Sequence, residues 1–301
     1  MPHFDVRGKD SLIVATHNGR FQADEVFAVA ALRFLNKDLQ LQRVNRNDSQ
    51  AIQAADVRVD IGKKFAPETG DFDHHQPQGA GVRPGAPAYR IPYASAGLIW
   101  LTYGLEICGG NAQVWENVDR QLFIHVDAAD TGHKLFEGIA STVPTIIARH
   151  NHDNPYNEEG QMDRFLRMVE FAQLVIMDAI RNAEKELERS QLIANALKES
   201  GNTTILELPR VTDWRDSASR KLLREHNVRA VIMPFSGDSY AVQITDAGIF
   251  PDSWRKQEKA CHKLLDLPGQ VRFKNRRQGW AENRSTALKL AKTLTLLPAK
   301  S

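Results

Sequence analysis

The apolar run Ser11–Thr16 (SLIVAT) is short and rich in β-branched residues, and a polar loop, His17–Arg20, follows it. Beyond the loop Val26, Phe27, Ala30, Phe34 and Leu35 recur at helical spacing, so the chain opens as strand, loop and helix. A short segment at Leu41–Val44 and a second apolar strand at Val57–Gly62 (VRVDIG) come next. The Pro- and Gly-rich stretch Pro77–Pro92 then breaks regular structure and reads as a long surface loop. Helical patterns resume at Ser95–Ile107, with Ser95 as N-cap, and at Ala112–Val126, ending near Gly132. Strands alternating with helices imply an α/β domain whose sheet is mostly parallel and flanked by helices.

From Met162 to Lys198 an apolar face (Phe165, Met168, Val169, Ala172, Val175, Ile176, Ala179, Ile180, Ala183 and Leu187) runs through a segment free of Gly and Pro, which predicts a long helix. Its charged part, Ala183–Arg189, leaves the first core and leads to a boundary near Gly201. A smaller C-terminal α/β domain follows. Its predicted elements are strand Thr203–Leu208, a helix near Ser217–Glu225, strands Val228–Phe235 and Ser239–Thr245, helix Arg255–Leu265, strand Val271–Lys274 and helix Ser285–Leu296. The expected organisation is an N-terminal domain over 1–160, a linking helix over 161–200 and a C-terminal domain over 201–301.

Composition narrows the class without naming a function: 301 residues, 42% hydrophobic and 25% charged, exclude disorder, collagen and coiled coil. The net charge of +2 hides an asymmetry, because residues 1–200 carry 21 Lys and Arg against 27 Asp and Glu, whereas 201–301 carry 18 against 10. An acidic N-terminal part joined to a basic C-terminal part suggests a cation site next to a surface for an anion. Only Cys108 and Cys261 are present, which supports neither a disulfide framework nor a thiolate zinc site and fits a reducing compartment. The longest apolar runs, such as Ala94–Leu101, fall well short of the ~20 residues of a membrane span, and Met1–Asp10 holds no signal-peptide core. A cytoplasmic protein with no membrane partner is expected, and a homo-oligomer is left open.

The candidate chemistry lies at strand ends. His17 and Asp24 flank the turn after the first strand, Asp60 ends the second, and Asp73, His74 and His75 follow the next short segment. In open α/β sheets the carboxyl ends of the strands line the ligand crevice, so these groups can converge. Imidazoles with carboxylates and no thiolates suit Mn²⁺, Zn²⁺ or, with some loss of fit, Mg²⁺, and a divalent cation is the natural counterion of such a cluster.

Thr16–Glu25 (THNGRFQADE), Val59–Gly62 (VDIG), Phe72–Gln76 (FDHHQ), Ser95–Trp100 (SAGLIW) and Val126–Gly132 (VDAADTG) occur in one order. In these segments the sequence resembles the melanocyte-proliferating-gene exonuclease family, also called metal-dependent protein hydrolases, within the DHH phosphoesterase superfamily. The resemblance is dense over residues 12–180, and Pro251–Phe273 is similar to the family's C-terminal segment. It implies a DHH-type N-terminal domain with two bound metal ions, Mn²⁺ or alternatively Mg²⁺. Their ligands would be His17, Asp24, Asp60 and His74, with Asp130 preferred over Asp127 for the last carboxylate. Asp60, His74 and His75 are the implied catalytic residues, with Gln22, Asp73 and His152 in supporting positions.

Two departures stand out. Many members read His-Asn-Gly-x-Phe-His-x-Asp-Glu, and the second His is Gln22 here, a weaker ligand. The family's Gly-rich C-terminal segment appears as the shorter and more basic Asn275–Arg284 (NRRQGWAENR). The resemblance implies a 3′-to-5′ exonuclease acting on RNA or short oligonucleotides by two-metal activation of water. For such a substrate Arg272, Lys274, Arg276, Arg277 and Arg284 offer phosphate-neutralising charge, and Trp280 either stacks on a base or belongs to the core. The alternatives are a phosphatase or pyrophosphatase for nucleotides and a non-catalytic nucleic-acid-binding protein. A peptidase is disfavoured, because neither an HExxH helix nor a nucleophile triad is present.

Overall fold

The computed structural model describes residues 2–84, 90–133, 135, 142–154, 157–201, 203–245, 265–275 and 277–295. The chain divides into two compact units, Met1–Ala183 and Glu184–Ser301.

In the first unit β1 (Ile13–His17), β2 (Gln40–Val44), β3 (Val57–Val59), β4 (Phe65–Ala66) and β5 (Asp71–Phe72) form one sheet in the order β2-β1-β3-β5-β4. All neighbours are parallel except the antiparallel β4–β5 pair. The fold is therefore α/β with a mostly parallel sheet, as the alternation of patterns implied. The β4–β5 hairpin and two short helices, α2 (Ser49–Ala54) and α6 (Val143–Ala148), were not legible in the sequence.

Helix α1 (Ala23–Leu35) is buried on every side from Val26 to Leu32, so it is a central helix and not an amphipathic surface one. It packs on α3 (Ser95–Ile107), which also meets β5. Each fully buried side chain of this kind contributes roughly 1.5–3 kcal/mol. The helix expected over Ala112–Val126 is three segments in succession: α4 (Ala112–Val118), a π-helical turn Asp119–Phe123, and α5 (Ile124–Asp130). The wide turn sets Phe123 against Trp100 in a stacked pair with ring centroids 4.3 Å apart.

Two further expectations need correction. Ser95 is the first helical residue of α3 and not its cap; the cap is Ala94, whose side chain cannot accept a hydrogen bond. The orphan amides of that first turn are taken instead by carboxylates from elsewhere in the chain, as described below. The Pro77–Pro92 stretch is also not purely a surface loop: within it Val82 and Pro92 form a β-bridge, and Arg83 is 4% exposed.

Helix α7 (Glu158–Ser200) is 43 residues long. In the second unit β6 (Ile205–Glu207), β7 (Ala230–Ser236), β8 (Ser239–Ile244), β9 (Val271–Phe273) and β10 (Gln278–Ala281) form a sheet in the order β6-β7-β8-β10-β9. Only β6–β7 is parallel. One face, with Ile232, Val242 and Ala281, is packed by Leu290 and Ala291 of α9 (Arg284–Thr295). The other, with Val231, Met233 and Ala241, is packed by Ile193 and Leu197 of α7, by Trp214 and by Leu223 of α8 (Ser217–Glu225). Trp280 sits within strand β10, not in a connection. Nearly all of the helix expected over Arg255–Leu265, together with Cys261 and Arg276, lies outside the described residues. Among the described residues no helix is long and apolar enough to cross a membrane.

Candidate metal centre

The parallel strands bring their carboxyl ends to one edge of the first sheet. His17 is the last residue of β1, Asp60 follows β3, and Asp73, His74 and His75 follow β5. Asp24 and Glu25 enter from the first turn of α1, and Asp130 from the last residue of α5. The loop between β1 and α1 is clamped: Asn151 Oδ1 accepts from Phe21 N at 2.8 Å, and Gln161 Nε2 donates to Gly19 O at 3.0 Å. Gly19 turns the chain there with φ +81°.

Asp60 is the hub. Its Oδ2 lies 3.2 Å from His17 Nε2, while its Oδ1 lies 3.1 Å from His75 Nδ1 and 3.5 Å from His74 Nε2. His74 Nε2 also approaches Asp130 at 3.0 Å and Asp24 at 3.9 Å, and His17 Nε2 lies 3.1 Å from Glu25. Asp60 is a non-glycine residue with φ +54°, a left-handed conformation that costs of order 1–3 kcal/mol and is held by its neighbours. Its amide donates to Phe72 O, and its carbonyl accepts from Arg46.

The set fits divalent cations. Three groups of ligand atoms lie within 4.8 Å of one another: Asp60 with His74 and His75, His17 with Glu25 and Asp60, and Asp24 with His74 and Asp130. His17 Nε2, Glu25 Oε2, Asp60 Oδ1 and His74 Nε2 are buried without a well-formed hydrogen bond. Buried polar atoms left this way are costly, and a cation among them removes the cost. Asp130 adds charge at the negative C-terminal end of α5, again an arrangement that favours a cation.

Proton affinities follow the same geometry. Burial alone would lower His17, but the Asp60 and Glu25 carboxylates outweigh it and raise its pKa to about 10. His74 is raised to about 11 against burial by Asp130 and Asp60, and His75 to about 9 by Asp60 and Asp73. Burial pushes Asp60 up, yet the three imidazoles hold it well below the usual carboxylate range. Asp24, fully buried beside Asp130 and Asp60, is pushed well above it.

Asp73 is an orienter: Oδ1 accepts from the amide and Nδ1 of His75, and Oδ2 accepts from Lys63 N at 2.6 Å. Asp24 accepts from Ser95 N at 2.9 Å and Ala96 N at 2.6 Å, capping α3 from a distance. The structure places Asp127 apart from these groups. It caps α3 through Gly97 N at 3.0 Å and pairs with Arg83, which also binds Asp119. A Cβ on Gly97 would stand 2.0 Å from Asp127 Oδ2, so only glycine fits there. The ring of His152 turns back to the backbone of Asn154 and joins none of the three groups.

Gln22 is the N-cap residue of α1, and its amide donates to Glu25 Oε1 at 2.9 Å. Gln22, Asp24, Asp130 and Thr145 line a cavity of about 250 Å³. Glu25 was missed in the sequence because an acidic pair in a first helical turn reads as capping. Arg46, which donates to Asp60 Oδ2 at 3.3 Å, carried no sequence signal at all in its polar loop.

In the second unit Arg272, Lys274 and Arg277 are exposed. Arg284 differs from the expectation, because Glu207 occupies its fork with two 2.6 Å contacts. A bidentate carboxylate leaves that face of the guanidinium unavailable to a phosphate.

Comparisons with known proteins add the following. The family described as "Uncharacterised protein family (UPF0160)" matches residues 13–256. The "MYG1 exonuclease" of Bos taurus is 28% identical over 158 residues, covering 46% of this chain and 41% of that protein. The "MYG1 protein" of Dictyostelium discoideum is 25% identical over 295 residues, covering 86% and 89%. The chain thus matches less than half the length of the mammalian relative. Among solved structures, RecJ from Thermus thermophilus in complex with Mn²⁺ aligns over 95% of this chain and 52% of its own at 15% identity, with a TM-score of 0.32.

Proposed function

Because the chain belongs to the protein family UPF0160, we propose that it is a divalent-metal-dependent phosphodiesterase, a 3′-to-5′ exonuclease on RNA or short oligonucleotides. The observation that carries this reading is the convergence of His17, Glu25, Asp60 and His74, with His17 Nε2, Asp60 Oδ1 and His74 Nε2 buried and unsatisfied. The name "MYG1 exonuclease" borne by mammalian relatives supports the nuclease part, and RNA and the polarity follow the family resemblance.

In this proposal His17, Glu25 and Asp60 would hold one ion and Asp24, His74 and Asp130 the other. Imidazoles mixed with carboxylates favour Mn²⁺, with Mg²⁺ as the alternative. Bound ions of this kind supply Lewis acidity that activates water and offsets charge on the phosphoryl group. Asp73 fixes the half-exposed ring of His75 so that it donates to a phosphate oxygen. Arg46, half-exposed beside Asp60, offers a second cation to that oxygen. Arg272, Lys274 and Arg277 are the cations for the polymer backbone.

The test is hydrolysis of a 5′-labelled RNA with Mn²⁺, Mg²⁺ or EDTA beside Asp60→Ala. A metal-dependent ladder shortening from the 3′ end, absent in the variant, is expected, and full activity in Asp60→Ala would sink the proposal. The small cavity beside Asp24 and Asp130 favours one second reading, a phosphatase for single nucleotides. Turnover of mononucleotides with no dependence on strand length would select it.

A further inference from the structure

The second sheet is covered unevenly on the face away from α9. Strand register places Met233 beside Ala241, Ala241 beside Trp280 and Trp280 beside Arg272, so these four side chains form one row on that face. Along the row Met233 and Ala241 are buried, Trp280 is partly buried and Arg272 is exposed. The cover provided by α7, Trp214 and α8 thus ends at Trp280.

At that border stands Phe235, 50% exposed, its ring centroid 5.7 Å from that of Trp280 at 49°. It lies where the register of β7 against β8 shifts between Pro234 and Ser236, a bulge that re-aims the side chain. Lys274 follows the end of β9 and its backbone amide donates to Gln278 O, and Gln278 pairs with Gln243 in the adjoining row. Among the described residues no acidic side chain pairs with Arg272 or Lys274.

We propose that this face is a stacking platform for single-stranded nucleic acid, with Phe235 and Trp280 taking unpaired bases and Arg272 and Lys274 the adjoining phosphates. Charge complementarity selects this occupant: the cations and amides suit a polyanion with polar edges, whereas an apolar protein partner would bury them uncompensated. Bases inside a duplex do not offer their faces, so the platform favours unpaired strands. The inference rests on the proposed nuclease reading only for the identity of the strand as substrate.

The experiment measures binding of the full chain, in EDTA, to a fluorescein-labelled oligoadenylate, the same strand made abasic, and its duplex. Phe235→Ala, on an exposed side chain, is expected to weaken binding to the oligoadenylate by about 10- to 100-fold and leave the abasic strand unchanged. Arg272→Ala with Lys274→Ala should lower the slope of log affinity against log salt by about 1 to 2. Mn²⁺-supported hydrolysis of a chromogenic small phosphodiester should be the same in Phe235→Ala as in the parent. Unchanged affinity of Phe235→Ala for the single strand, or tighter binding of the duplex, would overturn the proposal. Failure of the parent to cleave the small diester counts against the phosphodiesterase reading alone, because binding is read without metal.

Discussion

The first unit holds two buried clusters of carboxylates, and they are balanced in opposite ways. Asp127 and Asp119 meet Arg83, a guanidinium that stays charged at any ordinary pH. Asp24, Glu25, Asp60 and Asp130 meet the imidazoles of His17, His74 and His75 at close range, and Arg46, the guanidinium that pairs with Asp60, is half-exposed. An arginine is a permanent counterion and cannot become a ligand. A histidine counters charge only while protonated, and by losing that proton it becomes a metal ligand. The first cluster is therefore finished by the chain itself, and the second, on the proposed function, would exchange protons for a cation.

The largest effect expected from breaking this contrast is on turnover. Asp60→Ala should lower Mn²⁺-dependent diester hydrolysis by about 10³-fold or more, because the lost interactions are worth several kcal/mol in the transition state. Circular dichroism should show the variant still folded. Next is Arg83→Met, which strands the fully buried Asp127 and the partly buried Asp119. A loss of about 3–5 kcal/mol in denaturant unfolding is expected, and Mn²⁺ should not restore it.

Metal addition sharpens the comparison from the other side. At 100 times the dissociation constant, Mn²⁺ should stabilise the parent by about 2.7 kcal/mol, read as a rise in Tm. That rise should shrink in Asp24→Asn, which removes a ligand of one ion only, and persist in full in Asp127→Asn; the reverse pattern would exchange the roles given to the two clusters. Gly97→Ala should cost about 1–3 kcal/mol by overpacking, since its Cβ would strike Asp127 and Arg83.

The smallest effect concerns Asp71, which pairs with Arg58 and Lys64 away from both clusters. Burial pushes its carboxyl up, but Thr69, Lys64 and Arg58 hold it below the ordinary value. Its contribution is thus present above about pH 4 and is lost as pH falls through the depressed value. Asp71→Asn should remove that part of the acid-side slope and cost about 1 kcal/mol at neutral pH.

The strands and helices that carry the site were legible because their patterns are local. SLIVAT followed by the period of α1, and the uninterrupted apolar face of α7, follow from side-chain chemistry within a dozen residues of chain. So did the gathering of His17, Asp60 and His74, since parallel strands must end at one edge. Where several residues of one type compete, the sequence left the choice open. Asp127 and Asp130 are three positions apart on one helix, and only the arrival of Arg83 and Gly97 beside Asp127 separates them. Glu25 gains its place by facing His17 across the turn between β1 and α1, and Arg46 by reaching Asp60 at the end of β3. The cap of α3 is supplied by Asp24, 71 residues upstream, where the local pattern pointed to Ser95.

The sequence by itself determined the α/β alternation and the kind of chemistry, because periodicity and ligand type are properties of short segments. Tertiary structure decided which carboxylates are countered mainly by imidazoles, which aromatic rings stay at the border of a core, and which arginines are already paired. Those outcomes depend on distances between segments far apart in the chain, and no local pattern contains them.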